Sequence, residues 1–213
     1  MKRITIFIIV LAAAYSSSAV SKDKIISNIE KNYRKMEFFK ADFTQIQYWE
    51  LADEESKISG KIYMKSDDSF KAEMNDGSYV MSDGNTVWRY SAENSQVLIE
   101  DIKDNEDAML PGKIFFDFTE KYEVDDYYEN ESDGERIYIV HLISPKDTQR
   151  FIHKLKVKVN SRFYPFEIRY FDLDDNSTTL VLENISVDKE IDPSVFLFSA
   201  EEGTEIIDLR EQE

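Results

Sequence analysis

His141 and His153 are the only imidazoles in the chain, and both sit inside runs whose apolar residues alternate as in a strand. A lone histidine in such a run is more often a hydrogen-bonded or surface side chain than a base or a ligand. There is no cysteine. No nucleophile elbow and no glycine-rich phosphate loop is found, so an activated nucleophile would lack its partners. With 43 Asp and Glu residues, two carboxylates close in sequence say little about a paired acid–base site. Asp172, Asp174, Asn176 and Glu183 fall at positions 1, 3, 5 and 12 of a calcium-loop pattern. The sixth position, however, holds Ser177 where the sharp turn needs glycine, and the flanks look like strands. An Asp/Asn hairpin tip explains the same composition. We expect no enzyme activity, no cofactor and no metal.

What remains to be positioned is apolar surface. Between Ile58 and Tyr90 three alternating runs are separated by turn residues, with Asp76-Gly77 and Asp83-Gly84 as hairpin signals. Phe70, Ala72 and Met74 point one way while Lys71 and Glu73 point the other. This predicts a curved antiparallel sheet with one greasy face. Apolar residues at Ile25, Ile29 and Tyr33, with Ile26 and Met36 beside them, predict an amphipathic helix from Ser21 to Met36, capped by Ser21. Its stripe needs a partner, and the greasy face of the sheet is the candidate.

Strands are further expected over Phe38 to Tyr48, Val97 to Ile102, Arg136 to Ser144, Ile152 to Asn160, Phe166 to Phe171 and Thr178 to Ile185. The run from Val124 to Gly134 is acidic and reads as an edge or loop. Ile114, Phe115 and Phe118 suggest a second helix over Pro111 to Tyr122. The tail from Asp192 is expected to form a helical turn and then a short strand. By strand alternation Lys154, Lys156 and Lys158 make a basic stripe opposite Leu155, Val157 and Val159. About ten or eleven strands with two or three helices, and no linker, point to a mainly β sandwich or barrel.

Lys2 and Arg3, an apolar stretch from Ile4 to Ala14, and Ser17-Ser18-Ala19 make an export signal, with cleavage expected near Ala19. Roughly 11 apolar residues are too few for a bilayer core that needs roughly 20. The roughly 190 residues from position 20 to 213 are expected to form one domain, large enough to omit disulfides. Loss of the leader takes two positive charges off a chain already at −17. Such a body is excluded from nucleic acid and repelled by anionic head groups.

Phe39-x-Ala41-x-Phe43-Thr44-Gln45 after an N-terminal helix resembles the opening of the outer-membrane lipoprotein carrier family (LolA). Gly60 before Ile62-Tyr63-Met64, and Ser82-Asp83-Gly84 leading to Trp88 and Tyr90, continue the likeness. So do Asp172, Asn176, Thr178, Asn184-Ile185, Asp192, Phe196-x-Phe198 and Gly203 to Ile207, in the family's order across nearly the whole chain. The resemblance implies an incompletely closed antiparallel barrel with a helical lid. It implies a periplasmic, monomeric chaperone that shields the acyl chains of lipoproteins between two membranes. An inner-membrane ABC-type transporter would load it and an outer-membrane receptor would unload it. Phe43, Ile62, Met64, Phe70, Met74, Trp88, Tyr90, Phe115 and Phe118 are then the expected lipid-binding set. A lipoprotein-sensing regulatory module on the same scaffold is the alternative. The chain departs from the family at Ser66-Asp67-Asp68-Ser69-Phe70, where a basic residue followed by proline is usual, so the lid latch is expected to differ.

Overall fold

The computed structural model describes residues 20–102, 121–132, 134–146 and 150–210. Helix α1, Lys22–Lys35, is followed by β1 (Phe39–Trp49), β2 (Glu54–Met64), β3 (Ser69–Met74), β4 (Tyr79–Asp83), β5 (Thr86–Ser91) and β6 (Gln96–Asp101). Then come β7 (Glu123–Ser132), β8 (Glu135–Ile143), β9 (Ile152–Val159), β10 (Pro165–Asp172), β11 (Ser177–Val187) and β12 (Glu205–Asp208). All twelve join in one sheet of order β12-β6-β5-β4-β3-β2-β1-β11-β10-β9-β8-β7. Every ladder is antiparallel except that of β12 on β6. No ladder among the described residues joins β7 to β12, so the barrel stays open.

The sheet is organised about β1, whose 11 residues pair with β2 on one side and β11 on the other. Register carries the alternation across strands. Phe39 faces Met64, and Met64 faces Phe70; Ala41 faces Ile62, and Ile62 faces Ala72. Phe39, Ala41, Ile62 and Met64 are accordingly buried on one face. β9 behaves as its alternation demands, with Leu155, Val157 and Val159 buried and Lys154, Lys156 and Lys158 on the opposite side. The acidic run at Val124 is edge strand β7, and its charges discourage pairing with another chain.

α1 lies over the apolar face. Ile25 and Ile29, one helical turn apart, are fully buried in a cluster with Phe39, Ile62, Met64 and Leu182. Asp23 in its first turn and Arg34 and Lys35 in its last complement the helix dipole. Ser21 is the N-cap residue, but its hydroxyl makes no capping bond. After Lys35 the chain turns extended at Met36, which is 2% exposed and drops into the core.

The other face has a smaller apolar layer. Met81, Val97 and Ile99 are buried on the side of the sheet opposite Phe70. The C-terminal stretch returns over this side, through a 3-10 turn at Pro193–Phe196 capped by Asp192, and Phe198 stacks on Trp88 at 5.2 Å. The cap holds the Asp192 carboxyl below its usual range, because the Ser194 N–H donates to it. The helical turn and short strand expected of the tail are both present.

The buried Gly60 pairs with Phe43 and Met74, and a Cβ there would overlap the carbonyl of Glu73. Gly60→Ala should therefore lower unfolding free energy by at least ~2 kcal/mol, read as an earlier urea midpoint. An unchanged midpoint would show that β3 can back away freely.

Candidate functional site

The site is the apolar face and its cover. Burial of Ile25 and Ile29 contributes about 2 kcal/mol each to holding α1 down. Polar contacts then tie the helix to three separate parts of the sheet. Ahead of it, the Val20 N–H donates to Glu129 Oε1 on β7 at 2.6 Å. In its last turn Asn32 Nδ2 donates to the carbonyls of Arg162 and Phe163, at 2.8 and 3.3 Å, in the β9–β10 turn. Near its end the Tyr33 hydroxyl donates to Asp68 Oδ1 in the β2–β3 turn at 3.0 Å. Each such bond is worth about 1 kcal/mol net. The helix is thus fastened by interactions of comparable and modest size at both ends.

The β2–β3 turn is where the sequence departs from the family pattern. Asp68 has φ of +63°, in the left-handed region that Asp tolerates, and Asp67 Oδ1 accepts from the Ser69 N–H at 3.0 Å. A basic residue at this turn would donate towards the cover; here the turn supplies a carboxylate and the helix donates. Lys65, just before the turn, lies 4.6 Å from the Phe196 ring centroid and 5.9 Å from that of Phe38.

Of the nine residues selected from sequence, Phe43, Ile62, Met64 and Phe70 are buried together in the cluster that α1 covers. Met74 is half-buried against it. Trp88 and Tyr90 are not with them. They pair with Met81 and Tyr79, whereas the face of Phe70, Ala72 and Met74 continues through Val80 and Ser82 to Arg89 and Val87. Both aromatics therefore lie on the other side of the sheet, where Trp88 meets Phe198 and Tyr90 stacks on Tyr79 at 5.0 Å. The inward orientation expected for them is corrected by one step of register. Phe115 and Phe118, with residues 111–120 of the helix expected over Pro111 to Tyr122, lie outside the described residues, and Lys121 and Tyr122 are not helical. Phe39, Ile168, Val140 and Leu142 join the cluster though they were absent from the set. Strand alternation alone would have found them.

Elsewhere the chemistry-bearing groups are dispersed. His141 packs edge-on against Tyr128, with centroids 5.6 Å apart. His153 has Nε2 3.7 Å from Asp175 Oδ1, and its Nδ1 is buried without a partner. Asp172 accepts from the N–H groups of Asp174 and Asn176 and from Asn176 Nδ2, which is a self-contained hairpin turn. Glu183 sits well along β11, paired with Asp42. Among the described residues no three His, Cys, Asp or Glu side chains are grouped to hold a metal. Of the lysine stripe, Lys158 is paired with Glu167 at 2.7 Å. Tyr170, half-buried against the core, has its phenol pushed up by burial, partly offset by Thr178. Asp42 is held below the usual carboxylate range by hydrogen bonds from Lys61 and Asn184.

A family model described as "Outer membrane lipoprotein carrier protein LolA" matches residues 34–199. An "outer-membrane lipoprotein carrier protein" of Glaesserella parasuis is 23% identical, over 90% of this chain and 89% of its own length. An uncharacterized protein of Methanocaldococcus jannaschii is 22% identical over 96% of this chain, which spans only 59% of that longer relative. Among solved structures, an uncharacterized conserved protein of Thermus thermophilus shares the fold at a TM-score of 0.56 and 12% identity. That likeness covers 87% of this chain and 98% of the other.

Tyr33→Phe deletes the tether at the β2–β3 turn and nothing apolar. It should cost about 1 kcal/mol and raise amide exchange in the last turn of α1 about fivefold. Unaltered exchange would show that apolar contacts alone seat this end of the helix.

Proposed function

The chain belongs to the LolA family of outer membrane lipoprotein carrier proteins, and we propose that it is an exported, periplasmic carrier of acylated lipoproteins. The observation that carries this reading is a short helix seated on a broad apolar face by contacts small enough to be exchanged. A 16-carbon acyl chain withdrawn from water is worth on the order of 12 kcal/mol, at about 0.8 kcal/mol per CH₂. That exceeds the roughly 8 kcal/mol that Ile25, Ile29 and the four hydrogen bonds together contribute to seating α1. Cargo can therefore lift the cover and take its place against Phe43, Ile62, Met64, Phe70 and Met74, with no catalytic step.

The same balance supports release. When the cargo leaves, the helix recovers its own apolar contacts, so the empty carrier is not left with a bare oily face. Ser66-Asp67 stand where the family pattern has a basic residue and proline, and we assign the part of the latch to Tyr33 and Asp68, the next residue of that turn. Cleavage after Ala19 would turn the Val20 peptide N–H into an α-ammonium facing the Glu129 carboxylate, a stronger tether than a neutral amide gives. An inner-membrane ABC-type transporter as donor and an outer-membrane receptor as acceptor complete the scheme. The family resemblance supplies both.

Purified protein should bind a fluorescent 16-carbon acyl probe. Met74→Glu, at a half-buried position that tolerates change, should weaken that binding about tenfold while leaving the fold intact by circular dichroism. A folded wild-type protein that takes up no acylated ligand would overturn the carrier reading.

A further inference from the structure

Away from the covered face, one end of the sheet carries a cleft that the carrier scheme does not use. The β1–β2 and β10–β11 hairpin tips lie side by side there, because Tyr48 pairs with Ser177. They are fixed to one another: the Glu50 N–H donates to Asn176 Oδ1 at 3.0 Å, and Asn176 Nδ2 donates to Asp172 Oδ2 at 2.9 Å. Tyr48 braces the first tip through its hydroxyl to Asp53 Oδ1 at 2.8 Å. Between them is a cleft of about 390 Å³ with walls of Trp49, Leu51 and Ala52 and a polar side of Glu54, Asp174 and Asn176. Leu51 is 95% exposed, and Leu173 on the neighbouring tip is 63% exposed. Single exposed leucines are ordinary. Two on hydrogen-bonded neighbouring tips, with Trp49 in the cleft beside Leu51, put apolar side chains into water at one end of the sheet.

Charge selects the occupant. Residues 49–55 and 172–176 hold seven carboxylates and neither lysine nor arginine. Asp53 and Asp172 are engaged as described, and Asp175 lies near His153. Glu50, Glu54 and Asp174 meet no cation among the described residues. A bilayer is a poor match, since interfacial anchors surround their apolar tips with basic residues and these acids are repelled by anionic head groups. We propose that this cleft docks a basic, apolar segment of a partner protein. An aliphatic side chain of that segment packs between Leu51 and Leu173, and an arginine or lysine beside it meets the Trp49 indole, Glu54 and Asp174. The braced tips are preorganised, so little ordering accompanies docking.

Three fluorescein-labelled peptides test this with the purified protein: one alternating leucine with arginine, one leucine with glutamate, one glycine with arginine. The leucine–arginine peptide should bind at least about tenfold more tightly than either other, measured by fluorescence polarisation. Leu51→Asp, and separately the pair Glu54→Lys with Asp174→Lys, should each weaken it about tenfold. Leu197→Asp, exposed elsewhere, should not. Acyl-probe binding should be the same in all of these variants, so a failed docking site and a failed carrier are told apart. Equal binding of the glycine–arginine or leucine–glutamate peptide would overturn the proposal, as would insensitivity to both tip variants. So would Leu51-dependent binding to phosphatidylcholine vesicles, which would make the tip a lipid anchor.

Discussion

A sheet of twelve strands satisfies its backbone internally but leaves two wide faces, and whatever apolar side chains register assigns to a face must be kept from water. In this protein the row Phe39–Met64–Phe70 and the row Ala41–Ile62–Ala72 commit one face to being oily. An amphipathic helix of 14 residues is what the chain supplies to cover it. Ile25, Ile29 and a few single hydrogen bonds seat the helix in the same buried cluster as Phe39, Met64 and Leu182. On the proposed carrier role, a seat of that size can give way to an acyl chain worth about 12 kcal/mol, where one of many tens of kcal/mol could not.

The tethers are placed as much as they are weighted. Glu129 lies on β7, the last strand of one wing, and Asp68 lies between β2 and β3 on the other side of β1. One short helix thus reaches from one wing of the open sheet to the other. At the β2–β3 turn that tether depends on a neutral phenol as donor, a weaker bond than a guanidinium would form.

The second face has a different solution. Met81, Val97 and Ile99 are buried there, the returning C-terminal stretch lays Phe198 on Trp88, and β12 extends the sheet edge beside β6. The basic stripe on β9 and the acidic tips beyond β1 and β10 lie outside both apolar layers. They set the electrostatic character of the surface and leave the interior alone.

Local rules made most of the elements legible. The spacing of Ile25, Ile29 and Tyr33 identified α1, the Lys154–Lys158 alternation identified β9 and its inward face, and Asp192-Pro193 announced the capped turn. Family likeness named an open barrel where periodicity left a sandwich equally allowed. Side-chain orientation within one run was legible where that run alternated cleanly, as in β3. It was not in β5, where Val87 and Trp88 are both apolar and neither face is marked; only pairing with β4 decided that Trp88 turns away from the oily side. Likewise no pattern in the chain links Tyr33 to Asp68, or Glu50 to Asn176, because such contacts exist only once distant strands are in register. The sequence by itself determined which segments are helix and strand, since that rests on neighbours a few residues apart. The tertiary structure decided which faces meet and which groups touch, since those depend on hydrogen-bonded register between residues up to 151 positions apart, as in the Glu37 N–H donating to Asp188 Oδ1.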